Sequence, residues 1–511
     1  MSLRKRSAFK FITNIISFFI GVTTQAIVPR SLGPVSYGNF SFLTSFFSSI
    51  IGFLNFNSST VFFTKLSQRQ NEKGLVRFYF YFLVLLSCGL IVFLSAAFLT
   101  GIKELLWPSQ KSIFIIMAAV WAVITFLSVI LSDISDAYGL TVKSELIKAG
   151  LKIFGLGIVF FMLWKNLFSL FNFFVYQLAL LLFLTSLLLF MIKKNGHSCF
   201  GHGGLNKSQL KGYAKEFLRV CLPLAGFLSL ALVEQILDRW FLQKFSGSEK
   251  QGFYAFGLQV GAICLLFTTA IVPLVLREQA ISFGNKDFDE LKKLFSRSLY
   301  ILYALTAFIC CFLAVEARSI IHMFAGQAYT QALVPLTLMC LMPIHQTYGQ
   351  LNGNFFFATE RVNIYRNIGL FFVAVGLPLT FFLLGPKSKG ALQLGAEGLA
   401  VKVVLLQFIS VNIQLWFNSR FLKIDFKKLF INQFVVVLIF LAVALLSSYA
   451  ISVFLFYINT FMHFLISGII YSVFITMFFL LKPEIFSLTK LDVSNLVRFV
   501  TVKLNSSVIW K

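Results

Sequence analysis

The chain has 511 residues, of which 58% are hydrophobic and only 12% charged, and its mean hydropathy is +0.85. A soluble chain of this length would carry about 25% charged residues and divide into several domains, so composition excludes that class. With 44 Lys and Arg against 19 Asp and Glu the net charge is +25, which suits either nucleic acid or the cytoplasmic edge of a membrane protein; the placement of the charges decides between them.

Fourteen apolar stretches follow one another, at residues 11–29, 40–63, 78–100, 112–132, 146–164, 168–192, 217–242, 253–276, 298–321, 329–357, 364–385, 396–418, 430–456 and 460–481. Each is long enough, at about 1.5 Å per residue, to cross a hydrocarbon core of about 30 Å. The predicted class is an all-α polytopic membrane protein with 14 transmembrane helices. Arg4, Lys5 and Arg6 precede the first stretch as they would a signal peptide, but its length, the lack of an A-x-A site and the spans behind it predict a retained helix. With edge residues counted in the adjoining connection, 32 of the 44 basic residues fall at the termini and the six connections on the same side. Nine lie on the other side, and three, Lys152, Arg239 and Lys402, lie within spans. That alternation is the positive-inside pattern with both termini cytoplasmic, and it accounts for the charge without nucleic acid.

The connections are short and carry little chemistry. Gly201 to Ser208 approaches a phosphate-binding loop, but Asn206 stands where the second glycine belongs and no strand precedes it. His197, Cys199 and His202 share that connector, and three ligand-type residues on a loop do not make a metal site. No cofactor or metal is expected. The seven cysteines include no C-x-x-C, and six lie within spans as buried thiols. Between spans eight and nine, Phe288, Leu291, Leu294 and Phe295 at helical spacing predict an amphipathic helix, within 285–297, lying on the cytoplasmic membrane surface. Ile485, Leu488, Leu491 and Leu496 give the tail a similar pattern.

The chain also repeats itself. After span one it reads Gly33-Pro34-Val35-Ser36-Tyr37-Gly38-Asn39-Phe40, and after span seven Gly247-Ser248-Glu249-Lys250-Gln251-Gly252-Phe253-Tyr254, both G-x4-G-x-aromatic and 214 residues apart. Lys143, Lys148 and Gly150 are echoed by Arg361, Arg366 and Gly369 at an offset of 218 for the basic pairs. Two parallel six-helix repeats plus two extra C-terminal helices follow, the repeats related by an axis along the membrane normal. The predicted organisation is a bundle at 1–192, a basic cytoplasmic linker at 193–216, a second bundle at 217–418, two added helices at 419–482 and a cytoplasmic amphipathic tail at 483–511.

Val28-Pro29-Arg30-Ser31-Leu32-Gly33-Pro34-Val35-Ser36-Tyr37-Gly38 resembles the R-x-L-G-P-x-x-Y-G signature of polysaccharide-type flippases in the MOP (multidrug, oligosaccharidyl-lipid, polysaccharide) exporter superfamily. Asp238-Arg239-Trp240-Phe241-Leu242, with Gly247, Gly252, Phe253, Tyr254 and Ala255, resembles that family's D-R-x-x-L…G…G-x-Y motif. Ala358 to Asn363 and Gly395 to Ala400 are similar to its stretch from helix 10 through helix 12. The resemblance covers residues 1–480. It implies a V-shaped pair of bundles in the bacterial inner membrane that moves an undecaprenyl-diphosphate-linked oligosaccharide, an O-antigen, capsule or exopolysaccharide unit. Membrane lipid, a polysaccharide polymerase and chain-length proteins are the partners it implies.

Ionisable groups inside a membrane are costly and face a cavity or a partner. Glu234 and Asp238 are four apart on helix 7, hence on one face, with Arg239 next. They read as a carboxylate pair and an anion contact at a cavity rim, or as salt bridges between helices. Lys152 and Lys402 each lie about six residues from a span edge, so each either snorkels to water or supplies positive charge to a diphosphate. Arg30 reads as interfacial. His345-Gln346-Thr347-Tyr348-Gly349-Gln350 is polar for a mid-membrane segment and is expected to face a cavity, where it reads as a ligand for sugar hydroxyls or as interhelical hydrogen bonding. Pro223, Pro273, Pro335, Pro343 and Pro378 are candidates for gating kinks.

An enzyme would need carboxylates or bases gathered on a face, and the few acids and short loops speak against one. A cation-coupled multidrug exporter of the same superfamily would need an acid within the first bundle, yet Glu72 and Glu104, both in loops, are the only acids in residues 1–132. A peptidoglycan-precursor flippase would carry arginines in the first helix, where this chain has Thr13, Ser17, Thr23 and Gln25.

Overall fold

The structure is a computed structural model that describes residues 3–55, 58–69, 72–196, 205–455 and 457–483. The predicted amphipathic tail beyond residue 483 and the connector residues His197, Cys199 and His202 lie outside them. Sixteen α-helices account for nearly all of the described chain: α1 (Leu3–Asn55), α2 (Ser58–Gln68), α3 (Lys73–Leu99), α4 (Lys103–Leu106), α5 (Ser112–Ala137), α6 (Thr141–Trp164), α7 (Leu170–Lys194), α8 (Lys207–Ile263), α9 (Leu266–Gly284), α10 (Phe288–Val315), α11 (Ala317–Ile320), α12 (Leu333–Ala358), α13 (Val362–Leu384), α14 (Gly395–Leu422), α15 (Phe426–Phe454) and α16 (Thr460–Leu481).

All fourteen predicted spans fall on these helices, so the chain is an all-α polytopic membrane protein of the predicted class. Among the described residues nine helices are by themselves long and apolar enough to cross a membrane, or ten if the end of α1 and α2 form one bent span. Of the remaining predicted spans, the tenth lies on α12, which carries the polar 345–350 run. Polar side chains set several starts: Ser169 caps α7, Asp287 α10, Asp425 α15 and Asn459 α16, each accepting from a backbone N–H of the first turn at 2.8–3.2 Å.

Two boundaries differ from expectation. The stretch predicted as a separate surface helix is the first three turns of α10, continuous with span nine, and Leu291 and Phe295 are fully buried in its core. An apolar stripe at this spacing suits either a lipid surface or a protein core, and Asp287 starts one unbroken helix. In the other case, α5 runs on to Ala137 and so carries Asp133 and Asp136 within a helix of membrane length.

The chain forms two compact units. The first comprises the described residues up to Ala255 together with Val373–Leu399; in it α1 packs on α5 and α6, and α5 on α7. Its core is aromatic, with Trp107 stacked on Phe47 at 5.6 Å and Tyr79 on Phe62 at 4.2 Å. The second comprises Phe256–Phe372 and the described residues from Ala400; α10 packs on α9, α12 and α15, and α15 on α16. Where lipid is as apolar as the side chains, dispersion and interhelical hydrogen bonds hold such helices together.

Candidate functional site

The two repeated motifs meet inside the first unit. Gly33 (φ 73°, ψ 165°) and Gly247 (φ 82°, ψ 179°) each bend a long helix in a backbone region that essentially only glycine enters. Five residues on, Gly38 and Gly252 press against the backbone of each other's motif. A Cβ on Gly38 would run into the Ser248 carbonyl and stand 2.7 Å from the Gly252 nitrogen; one on Gly252 would run into the Pro34 carbonyl. Pro34 and Ser248 are themselves 214 residues apart. Each copy therefore receives from the other the contact it gives, as a twofold relation between repeats requires.

Arg239 lies directly beneath this junction. It is 7% exposed, its Nη1 donates to Gln251 Oε1 at 3.2 Å, and its guanidinium lies 4.6 Å from the Tyr254 ring centre. Gln251 Nε2 returns a bond to the Arg239 carbonyl at 2.9 Å. One turn along, Gln243 donates to Ser248 Oγ at 2.9 Å and to the Pro108 carbonyl at 3.3 Å, while Trp240 Nε1 donates to the Leu105 carbonyl at 2.6 Å. Asp238 accepts from Thr380 Oγ1 at 2.7 Å. Glu234 lies one turn back and is half-buried, as is Asp238. The Asp-Arg pair and its followers thus fasten the second glycine bend to its surroundings through hydrogen bonds.

The other candidates scatter. Arg30 and Lys152 are exposed on the protein surface. Lys402 is not snorkelled: at 2% exposure it lies in the protein interior on α14. His345 is half-buried on α12, edge-on to Phe408 at 5.1 Å, beside a cavity of about 350 Å³ that Tyr303, Phe408 and Gln433 also line. The cavity walls are mainly Leu, Val and Phe, with Tyr303, His345 and Gln433 as their polar members. Gln346 is half-buried beside it in sequence.

Sequence reasoning missed a polar group in the second unit. Arg361, which the sequence marks in the repeat echo and in the Ala358–Asn363 resemblance but not as a site residue, donates to Asn418 Oδ1 at 2.7 Å and Thr359 Oγ1 at 3.1 Å and lies 4.0 Å from the Phe421 ring centre. Asn418 in turn donates to Asn352 Oδ1 at 3.1 Å, and both asparagines are fully buried. Burial lowers the Arg361 pKa to about 10. The signal available was two asparagines inside predicted spans, residues that membrane helices tolerate when bonded to a partner.

In the first unit, Lys65 in the last turn of α2 and Arg69 just after it both pair with Glu216 in the third turn of α8, and Tyr213 donates to Glu72 at 2.6 Å. The Lys65 bond holds the Glu216 carboxyl below the ordinary carboxylate range, and burial with the Glu72 bond raises the Tyr213 phenol to about 12. Among the described residues no three His, Cys, Asp or Glu side chains gather as a metal site.

No family model and no curated protein sequence matches the chain. Solved structures share its fold. The lipid II flippase MurJ in an inward closed conformation superposes with a TM-score of 0.64 at 15% identity, over 93% of this chain and 98% of that one. An inward-facing multidrug resistance MATE family transporter of the MOP superfamily gives 0.60 at 10% identity, over 81% and 94%. A MOP superfamily transporter from Pyrococcus furiosus gives 0.53 at 14% identity, over 82% and 97%. The chain shares its fold with these structures.

Proposed function

We propose that the chain is a flippase that carries an undecaprenyl-diphosphate-linked oligosaccharide across the bacterial inner membrane by alternating access of its two repeats. The observation that carries a transport reading is the reciprocal glycine junction. Two copies of one motif meet there through backbone, a contact small enough to part and re-form as the repeats rock. The headgroup passes between the repeats while the polyprenyl tail stays in lipid.

The length of the likeness supports a lipid-linked cargo. The lipid II flippase matches 93% of this chain and the multidrug transporter 81%, a difference comparable to the two helices α15 and α16. The acids of residues 1–132 lie in loops, but α5 carries Asp133 and Asp136 in a helix of membrane length, so the acids of the first bundle do not select against cation-coupled export. A peptidoglycan precursor, itself a polyprenyl-diphosphate glycan, is the second reading, favoured by the match over 98% of the lipid II flippase. Membrane potential is one possible drive, worth about 2.3 kcal/mol per charge per 100 mV.

Reconstitution tests the reading. Purified protein in vesicles containing undecaprenyl-diphosphate oligosaccharide is expected to move the glycan to the opposite leaflet, where an added glycosidase or lectin reaches it. Transport of lipid II alone would select the second reading. Cation-dye transport without glycan movement would overturn both.

A further inference from the structure

Glu316, at the end of α10, is a carboxylate withdrawn from the surface, at 2% exposure. Ser467 of α16 donates to its Oε1 at 3.0 Å, and Ser319 of α11 to its Oε2 at 2.6 Å. Two hydroxyl donors suit an ionised carboxylate, which only accepts. His463, on the first turn of α16, places Nδ1 3.6 Å from Oε2, while its Nε2 is 3.2 Å from Ser452 Oγ of α15. The imidazole therefore links the end of α10 to both added helices, α15 and α16.

A buried carboxylate is costly without a counter-charge, and histidine is the side chain that supplies or withdraws one near neutral pH. The N-terminal turn of a helix disfavours a cation, so Glu316 is the partner that makes a charged His463 tolerable there. Other ionisable neighbours are few. Arg318 on α11 and His322 in the turn after it are exposed. The α15 sequence from Phe430 to Phe454 has no Asp, Glu, Lys, Arg or His, and α16 has only His463. Around the pair the packing is apolar: Phe312 lies 5.1 Å from Phe464, and the Tyr471 hydroxyl donates to the Phe308 carbonyl at 2.8 Å.

We propose that Glu316 and His463 form a proton-binding site that fastens α16 to α10, tight when His463 is protonated and loose when it is neutral. On the topology implied by the basic residues, the proton comes from the outer face. The site stands whether the cargo is a polysaccharide unit or another lipid.

Hydrogen–deuterium exchange of the full chain in nanodiscs tests it, read over residues 460–471 at pH 6 and pH 8 and corrected for intrinsic rates. Wild type is expected to open about tenfold less often at pH 6. His463→Gln and Glu316→Gln should erase that difference, and His463→Lys should hold the segment closed at both pH values. Equal opening of wild type at the two pH values would overturn the proposal, as would the same pH ratio in His463→Gln. If the glutamine variants fail to fold, wild type and His463→Lys decide: a pH ratio retained in His463→Lys refutes the site.

Discussion

Arg239 and Gln251 hold each other across the bend at Gly247: the guanidinium donates to the Gln251 side-chain oxygen at 3.2 Å, and the amide returns a bond to the Arg239 carbonyl at 2.9 Å. One glutamine thus binds both the charge and the backbone of the residue before the bend. Tyr254, two residues beyond the second glycine, covers the guanidinium at 4.6 Å.

Gln251→Leu is expected to cost about 2–3 kcal/mol, because it leaves a buried guanidinium without its charge-assisted bond. Thermal unfolding in detergent measures it. Arg239→Lys should not behave as a conservative change, since a compact ammonium lacks the planar fork that reaches Gln251 while lying over a ring. Unfolding of Arg239→Lys at the wild-type midpoint would contradict this account of the bend.

The glycine junction separates two kinds of glycine. A methyl on Gly38 or Gly252 meets backbone atoms of the opposite motif, which cannot swing aside, so Gly38→Ala and Gly252→Ala should each lower the melting midpoint and transport. Gly21, within α1, has nothing within 4 Å of an added Cβ, and Gly21→Ala should stabilise the helix by up to about 1 kcal/mol. Parallel melting curves of the three variants check the ordering.

Acid sensitivity should reside partly at Glu216. Its folded-state carboxyl is depressed by the Lys65 bond, so its stabilisation is present above the ordinary glutamate pKa of about 4.3 and is lost as pH falls below that value. Wild type should lose more of its melting midpoint between about pH 5 and pH 3 than Glu216→Gln does. Identical slopes would remove this cluster from the acid response.

We propose a transport role for Glu234, which lies one turn before Asp238 on α8. Glu234→Gln is expected to insert and fold normally yet to transport more slowly in the vesicle assay. Asp238→Asn should be milder in stability than Thr380→Val, because an amide oxygen still accepts the 2.7 Å bond from Thr380 whereas valine leaves Asp238 without that donor. Wild-type rates in Glu234→Gln would exclude that carboxylate from the transport path.

Much of the fold was legible because membrane helices write length and apolarity directly into the chain, and the 214-residue offset announced the repeat. That Gly33 and Gly247 bend, and that Gly38 and Gly252 touch, was legible only as a recurring motif; the exchange of contacts is a tertiary fact. Helical spacing places Glu234 and Asp238 on one face but does not say which neighbour supplies Thr380. Nor does distance from a span edge distinguish the interior Lys402 from the exposed Lys152. The stripe of Leu291 and Phe295 was misjudged for a related reason, since core and lipid present the same apolar face to a helix.

Deleting the gene and extracting the cell's polyprenyl-linked lipids tests the central claim most directly. Accumulation of an undecaprenyl-diphosphate oligosaccharide on the cytoplasmic face, with loss of surface glycan, is the predicted result. Normal surface glycan with raised sensitivity to cationic drugs would contradict it.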